Sequence, residues 1–240
     1  MSIQIFIRET IKACQEVVAM LETTTDIEAY QPQEIGAGGD RSVGLDLMAE
    51  DIFINRLGRF GRINSEESGI VGEGEVEIVL DPIDGSDNLL THFPYYGASI
   101  AYMKDGKPSM GIVCNFANGD IFIKDKKQFL QGKLHSAHFK PVVKHHTSRI
   151  GIFEKAALYP EVTQALIKNN LKYRAPGAVA LSLAYAHYAN YMVFLGKMRS
   201  YDLEAGLFMC EDLHVYKDET HIIISKDIEV FERVKRIILK

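Results

Sequence analysis

The chain is poor in cysteine: three in 240 residues, at positions 14, 114 and 210. They are odd in number, widely spaced and form no Cys-x-x-Cys pair, so neither a disulfide framework nor a zinc ribbon organises the fold. They read as small core residues with reduced thiols, which predicts a cytoplasmic setting. No stretch approaches the ~18 apolar residues of a membrane span, so no membrane partner is expected. The opening MSIQIFIRETIKACQEV interleaves acids and bases and predicts no secretory signal. An excess of basic residues is also missing. Lys and Arg number 27 against 32 Asp and Glu, a formal net charge of −5. That balance argues against a broad nucleic-acid surface while leaving room for a small anionic ligand. Repeats, low-complexity tracts and linkers rich in Gly, Pro or Ser are absent too.

What is present is a 47% hydrophobic chain, enough for one large core or two small ones. Residues 3–21 have a helical period, with Ile3, Phe6, Ile11, Val17, Val18 and Leu21 near one face. The stretch 31–44, with Gly36, Gly38 and Gly39, reads as a loop, and 45–57 as a second helix. Strands are expected at 61–66 and 76–81, then a meander at 96–103, 109–115 and 120–124 with Lys104–Pro108 and Asn118–Asp120 as turns. The second half alternates strands (149–153, 172–175, 190–195, 221–225) with helices (160–169, 177–189, 202–213, 227–238). The fold class is therefore α/β, with α+β layering. It forms a single unit over 1–240 with subdomains of roughly 1–140 and 141–240, and a break near 136–148.

The chemistry-bearing residues are acids that follow apolar strands. Val76–Leu80 runs into Asp81-Pro82-Ile83-Asp84-Gly85-Ser86, after which Asp87-Asn88-Leu89-Leu90 continues a short helix. Pro82 stops a simple strand continuation, and Gly85 permits a close backbone approach. Two carboxylates on such a turn suit a hard divalent cation, and N–H groups at a helix start suit a phosphate. Ser65-Glu66-Glu67-Ser68 forms a second acidic cluster and Tyr201-Asp202-Leu203-Glu204 a third. Singly, such acids are ordinary turn residues or helix caps, as Asp202 alone would be. Three in this order point to a shared site.

This pattern resembles the inositol monophosphatase / fructose-1,6-bisphosphatase superfamily of metal-dependent phosphatases. The residues that carry it are Asp46, Glu66-Glu67, Asp81 to Ser86, His92-Phe93-Pro94, Arg174-Ala175-Pro176-Gly177 and Tyr201-Asp202. The resemblance implies a sugar-phosphatase fold of alternating α-β-α-β-α layers and a homodimer. It implies two or three Mg²⁺ ions on Glu66, Asp81, Asp84, Asp202 and the carbonyl of Ile83. The N–H groups of Gly85 and Ser86 would bind phosphate, and Asp46, Glu66 and Ser86 would position and activate water. Asp40 enters as an outer participant, and Glu67 as a weaker candidate than Glu66. The implied function is a phosphomonoesterase for a small polyol or sugar phosphate. Fructose 1,6-bisphosphate and 3′-phosphoadenosine 5′-phosphate are alternative substrates, and a non-enzymatic partnership with transcription or ribosome-assembly machinery is a further alternative.

The chain also departs from the family. Tyr201 stands where Trp is usual, and no acid precedes it; Lys197 and Arg199 occupy that stretch and, with Arg174, are the candidate substrate contacts. An aspartyl-phosphate mechanism of the haloacid dehalogenase type needs Asp-x-Asp, whereas Asp81 and Asp84 lie three apart. His145-His146 has no third partner in sequence and reads as a polar loop.

Overall fold

The computed structural model describes residues 3–25, 29, 31–37 and 41–239. The first helix, α1 (Ile3–Thr23), buries Phe6, Thr10, Ala13, Cys14 and Val17, the i, i+4, i+7, i+8, i+11 stripe of one helical face. It packs beside α2 (Gly44–Leu57), whose Leu45, Ala49, Phe53 and Leu57 recur every four residues on its inner side. Both helices lie on one face of an eight-stranded sheet. Its strands are β3 (Arg62–Ser65), β4 (Gly69–Val71), β5 (Glu77–Asp84), β6 (Gly97–Lys104), β7 (Lys107–Asn115), β8 (Asp120–Asp125), β9 (Phe129–Lys133) and β10 (Phe139–Pro141). The spatial order is β10-β9-β8-β7-β6-β5-β3-β4, antiparallel except for the parallel pair β3/β5.

The period of two along these strands sorts side chains to opposite faces. Leu80, Ile100, Ile112, Ile121 and Ile123 pack towards α1 and α2. Val79, Ala101, Val113 and Phe122 face the other way, onto Leu181 and Ala184 of α5 (Val179–Ala184) and Ala205 and Met209 of α6 (Ser200–Met209). Those two helices are buried on their far side as well. Val179, Leu183, Leu203 and Cys210 meet Met192, Phe194, Ile222 and Ile224 of a second sheet. That sheet orders β12 (Lys172–Arg174), β11 (Ile150–Glu154), β13 (Met192–Leu195), β15 (His221–Ser225) and β14 (His214–Lys217). Its outer face, with Phe153, Val193 and Ile223, is covered by α4 (Pro160–Lys168) and α7 (Ile228–Ile238) through Leu166, Phe231 and Val234. The layers therefore run α-β-α-β-α. The central pair α5/α6 fits between two sheets because Gly206 lets α6 touch α5: a Cβ there would stand 2.5 Å from Leu183 Cβ.

The expected strands and helices are present, with three differences. The loop expected at 31–44 contains a short antiparallel pair, β1 (Pro32–Ile35) and β2 (Arg41–Val43), in register Pro32↔Val43. The helix expected at 177–189 stops at Ala184, and turns follow. Tyr185 Oη donates to Asp120 and Tyr188 Oη to Gln131, while His187 pairs with Asp212; these anchors lie on separate elements and pull the chain out of the helical path. Strands β4, β9, β10 and β14 are further additions, short segments placed by pairing to their neighbours.

Candidate active site

Asp81 and Asp84 close β5, and three residues of spacing would put them on opposite faces of a regular strand. The ladder is interrupted there. Asp81 pairs with Ser99, but the next partnership is Asp84 with Gly97, so the register shifts across Pro82-Ile83. Pro82 has no N–H to contribute, and the irregular segment turns both carboxylates into one cleft of about 580 Å³. Gly85 then takes φ +89°, a left-handed conformation, and a Cβ would meet Ala178 Cβ and Tyr95 O at 3.0 Å. Helix α3 (Ser86–Leu90) starts directly after it. Glu66 arrives from the end of β3, Asp202 from the first turn of α6, and Asp46 from the first turn of α2. All of these line the cleft, as do Ile83, Gly85, Ser86 and Glu67.

The site is acidic, and its carboxylates are buried. Asp46, Asp81, Asp84 and Asp202 are 3–5% exposed, and Glu66 is at 9%. One oxygen each from Glu66, Asp81 and Asp202 lies within 4.8 Å of the others. Burial pushes the Asp81 carboxyl well above its usual range, with the charges of Glu66, Asp84 and Asp202 adding to the rise. Asp84 moves the same way, through burial and then the Asp202 charge, against the pull of the Leu181 N–H that donates to its Oδ2 at 2.8 Å. Burial also pushes Asp46 up to about 7. Its Oδ2 accepts the Val43 N–H at 2.9 Å, while Oδ1 is buried with no hydrogen-bond partner. Carboxylates of this density fit divalent cations, since hard oxygen donors take up cations where they otherwise take up protons.

The structure refines the sequence reading at several residues. Asp202 is not a helix cap: the N-cap of α6 is Arg199, and Asp202 lies within the first turn. Arg199 lines the cleft, but neither Arg174 nor Lys197 does. Arg174 is exposed on β12 and donates to the Tyr173 carbonyl; Lys197 lines a separate hollow with Met198 and Asp218. Asp40, with Gly38 and Gly39, lies outside the described residues, although Ala37 N–H donates to the Glu67 carbonyl at 2.9 Å and ties the adjoining segment to the site. His145 packs on the Tyr188 ring, away from any metal-competent group among the described residues.

Several residues that shape the cleft escape a motif reading. Glu154, 1% exposed at the end of β11, accepts the Gly177 N–H at 3.0 Å and the Ser182 hydroxyl. It shares the pattern of an acid ending an apolar strand with Asp81, and that pattern was available to find it. Glu50 of α2 is 2% exposed and takes both the N–H (3.0 Å) and hydroxyl (2.5 Å) of Ser68, fixing the turn that presents Glu66. Asn88 Nδ2 donates to Tyr95 O at 2.7 Å and Pro176 O at 2.8 Å, joining the motif helix to the 175–178 segment of the opposite wall. Lys155 adds the second base of the cleft, its Nζ over the Phe194 ring at 5.2 Å.

A family model for the inositol monophosphatase family matches residues 10–213. A fructose-1,6-bisphosphatase/inositol-1-monophosphatase of Methanothermobacter thermautotrophicus is 31% identical over 202 residues, which span 75% of this chain and 71% of that protein. A Nus factor SuhB of Xylella fastidiosa is 24% identical over 197 residues, 74% of this chain and 68% of its own. Among solved structures, the extragenic suppressor protein suhB from Bartonella henselae superposes with a TM-score of 0.80 at 19% identity, over 98% of this chain and 97% of that one. The chain belongs to the inositol monophosphatase family. That membership makes it a phosphatase, a phosphoric monoester hydrolase.

Proposed function

We propose that the chain hydrolyses a small polyol or sugar phosphate with two or three Mg²⁺ ions held by Glu66, Asp81, Asp84, Asp202 and the carbonyl of Ile83. The observation that carries this reading is the convergence of Glu66, Asp81 and Asp202 within 4.8 Å, beside an Asp46 oxygen that is buried and unpartnered. Bound there, divalent cations supply positive charge to the phosphate and a more acidic water. The chain's own groups do the rest. Asp46 Oδ1 accepts the proton of the attacking water, Oδ2 being held by Val43. The Ser86 hydroxyl and Glu66 orient that water. The N–H groups of Gly85 and Ser86 receive phosphate oxygens at the start of α3. Exclusion of solvent by the buried walls strengthens each of these interactions.

The reading extends to a homodimer in the cytoplasm, supported by the family resemblance and by three buried free thiols. Among the described residues no helix is long and apolar enough to cross a membrane. It also treats residues 1–140 and 141–240 as subdomains of one unit meeting at the cleft.

The test is phosphate release from inositol 1-phosphate, fructose 1,6-bisphosphate and 3′-phosphoadenosine 5′-phosphate, with and without Mg²⁺. Release of phosphate from at least one, dependent on Mg²⁺ and abolished by Asp84→Asn, is expected. Hydrolysis of none, or an Asp84→Asn protein that works as well as wild type, would contradict the reading. The similarity to a Nus factor gives a second, non-enzymatic reading a concrete form. A transcription protein retained by Asp84→Asn in pull-down would favour it.

A further inference from the structure

Positive charge is already present among the acids, and it belongs to the chain. Arg199 sits at the N-cap of α6 with extended backbone. Its Nη1 donates to Glu66 Oε1 at 2.7 Å, while Nε and Nη2 fork onto Asp202 Oδ2 and Oδ1 at 2.8 and 3.1 Å. Its side chain is 22% exposed, at the lip of the cleft. Two of the three carboxylates that converge within 4.8 Å are therefore engaged by one guanidinium. Charge-assisted donation of this kind uses the same lone pairs that a cation needs. Without it, buried carboxylates this close would repel one another.

We propose that Arg199 is a resident counter-cation of the acidic cluster, displaced when a divalent cation enters and thereby released to the cleft that receives the phosphate ester. The inference rests on the metal-site reading above and adds a regulation to it. Arginine suits the task. Its planar fork matches a carboxylate, it is more weakly hydrated than an ammonium, and its long stem reorients without moving the helix. Three consequences follow from competition for the same oxygens. The metal-free fold is relieved of carboxylate repulsion. Cation affinity is set partly by the strength of the guanidinium contacts. Cation and phosphate bind cooperatively, because filling the metal site frees a positive group for the anion, and the coupling is reciprocal. Lys155 provides an internal contrast. It lies in the same cleft but with its Nζ over the Phe194 ring, so it contributes charge and no competition.

The test is calorimetric titration of Mn²⁺ into protein stripped with EDTA, for wild type, Arg199→Met, Arg199→Lys and Lys155→Met. Losing the three charge-assisted contacts to Glu66 and Asp202 as competitors should tighten Mn²⁺ binding about tenfold in Arg199→Met, whereas Lys155→Met stays within about twofold of wild type. Arg199→Lys should fall between, since it keeps the charge and loses the fork. The stripped Arg199→Met protein should melt below stripped wild type, and Mn²⁺ should remove that difference. Equal or weaker Mn²⁺ binding by Arg199→Met, or equal tightening by Lys155→Met, would overturn the proposal. A second readout needs no variant. The ¹⁵Nε signal of Arg199 should shift, and its proton exchange faster, as Mg²⁺ is added to wild type; an unchanged signal at saturation would overturn displacement even if Arg199→Met fails to fold. Wild type that binds no divalent cation would overturn the metal-site reading itself, an outcome distinct from wild type that binds while Arg199→Met binds no tighter.

Discussion

At the scale of single residues, Asp46 shows how one side chain is divided between structure and chemistry. One oxygen closes the first turn of α2 on the Val43 N–H, and the other is left buried without a partner. A buried unsatisfied oxygen costs about 1–3 kcal/mol, and Asp46 Oδ1, on the cleft lining, is placed to recover that cost from a bound group. Asp46→Asn preserves the shape and removes the carboxylate proposed as the base. It is expected to lower kcat by at least about a hundredfold while the thermal midpoint stays level or rises. Steady-state kinetics alongside a melting curve check this, and a variant with near-wild-type kcat would remove Asp46 from the mechanism. His187 carries a different consequence. It is 2% exposed, its Nε2 pairs with Asp212 at 2.8 Å, and burial holds its pKa below the ordinary 6.5. The native state therefore favours the neutral ring. This contribution is complete above about pH 6.5 and is lost as the pH falls from there through the depressed native value. Urea midpoints at about pH 7.5 and about pH 5.5 should show a smaller acid loss in His187→Gln than in wild type. An equal loss in both would assign the acid sensitivity to other groups.

At the scale of elements, the cleft depends on how strand ends, helix starts and turns are tied together. The Asn88 amide links Tyr95 O and Pro176 O, so helix α3 and the segment before α5 keep a fixed separation. Asn88→Ala orphans two carbonyls and should cost about 1–3 kcal/mol in urea unfolding, while raising KM for the phosphate ester more than it lowers kcat. A lowered stability with unchanged KM would show the link to be scaffolding only. Legibility also divides by element. Strands β5, β6, β7 and β8 could be read in sequence because both faces are apolar or alternate, and the end of β5 carried Asp81 and Asp84. Strands β9, β10 and β14, rich in Lys, Gln and His, could not, because their placement comes from pairing with neighbours. The motif acids Glu66, Asp81, Asp84 and Asp202 come together in one cleft because each ends or begins an element. Glu50 was illegible: an acid inside a helix looks like a solvated one until Ser68 is seen against it. Lys197 stands five residues before Asp202 in sequence and outside the cleft in space, since spacing along an irregular turn says little about direction, and Arg174 on β12 lies outside it too.

At the scale of the whole molecule, five layers press two sheets onto a shared central helix pair, and the site forms where the ends of β5, β3 and β11 meet α2, α5 and α6. A chain with net charge −5 thus concentrates eight carboxylates around one cleft: Asp46, Glu66, Glu67, Asp81, Asp84, Asp87, Glu154 and Asp202. The proposed chemistry requires those acids to be a cation site. The most direct measurement is anomalous diffraction from crystals soaked in Mn²⁺. Peaks in contact with Glu66, Asp81, Asp84 and Asp202, lost from Asp81→Asn crystals, are the expected result. Full Mn²⁺-dependent phosphate release with no anomalous peak among these four residues would contradict it.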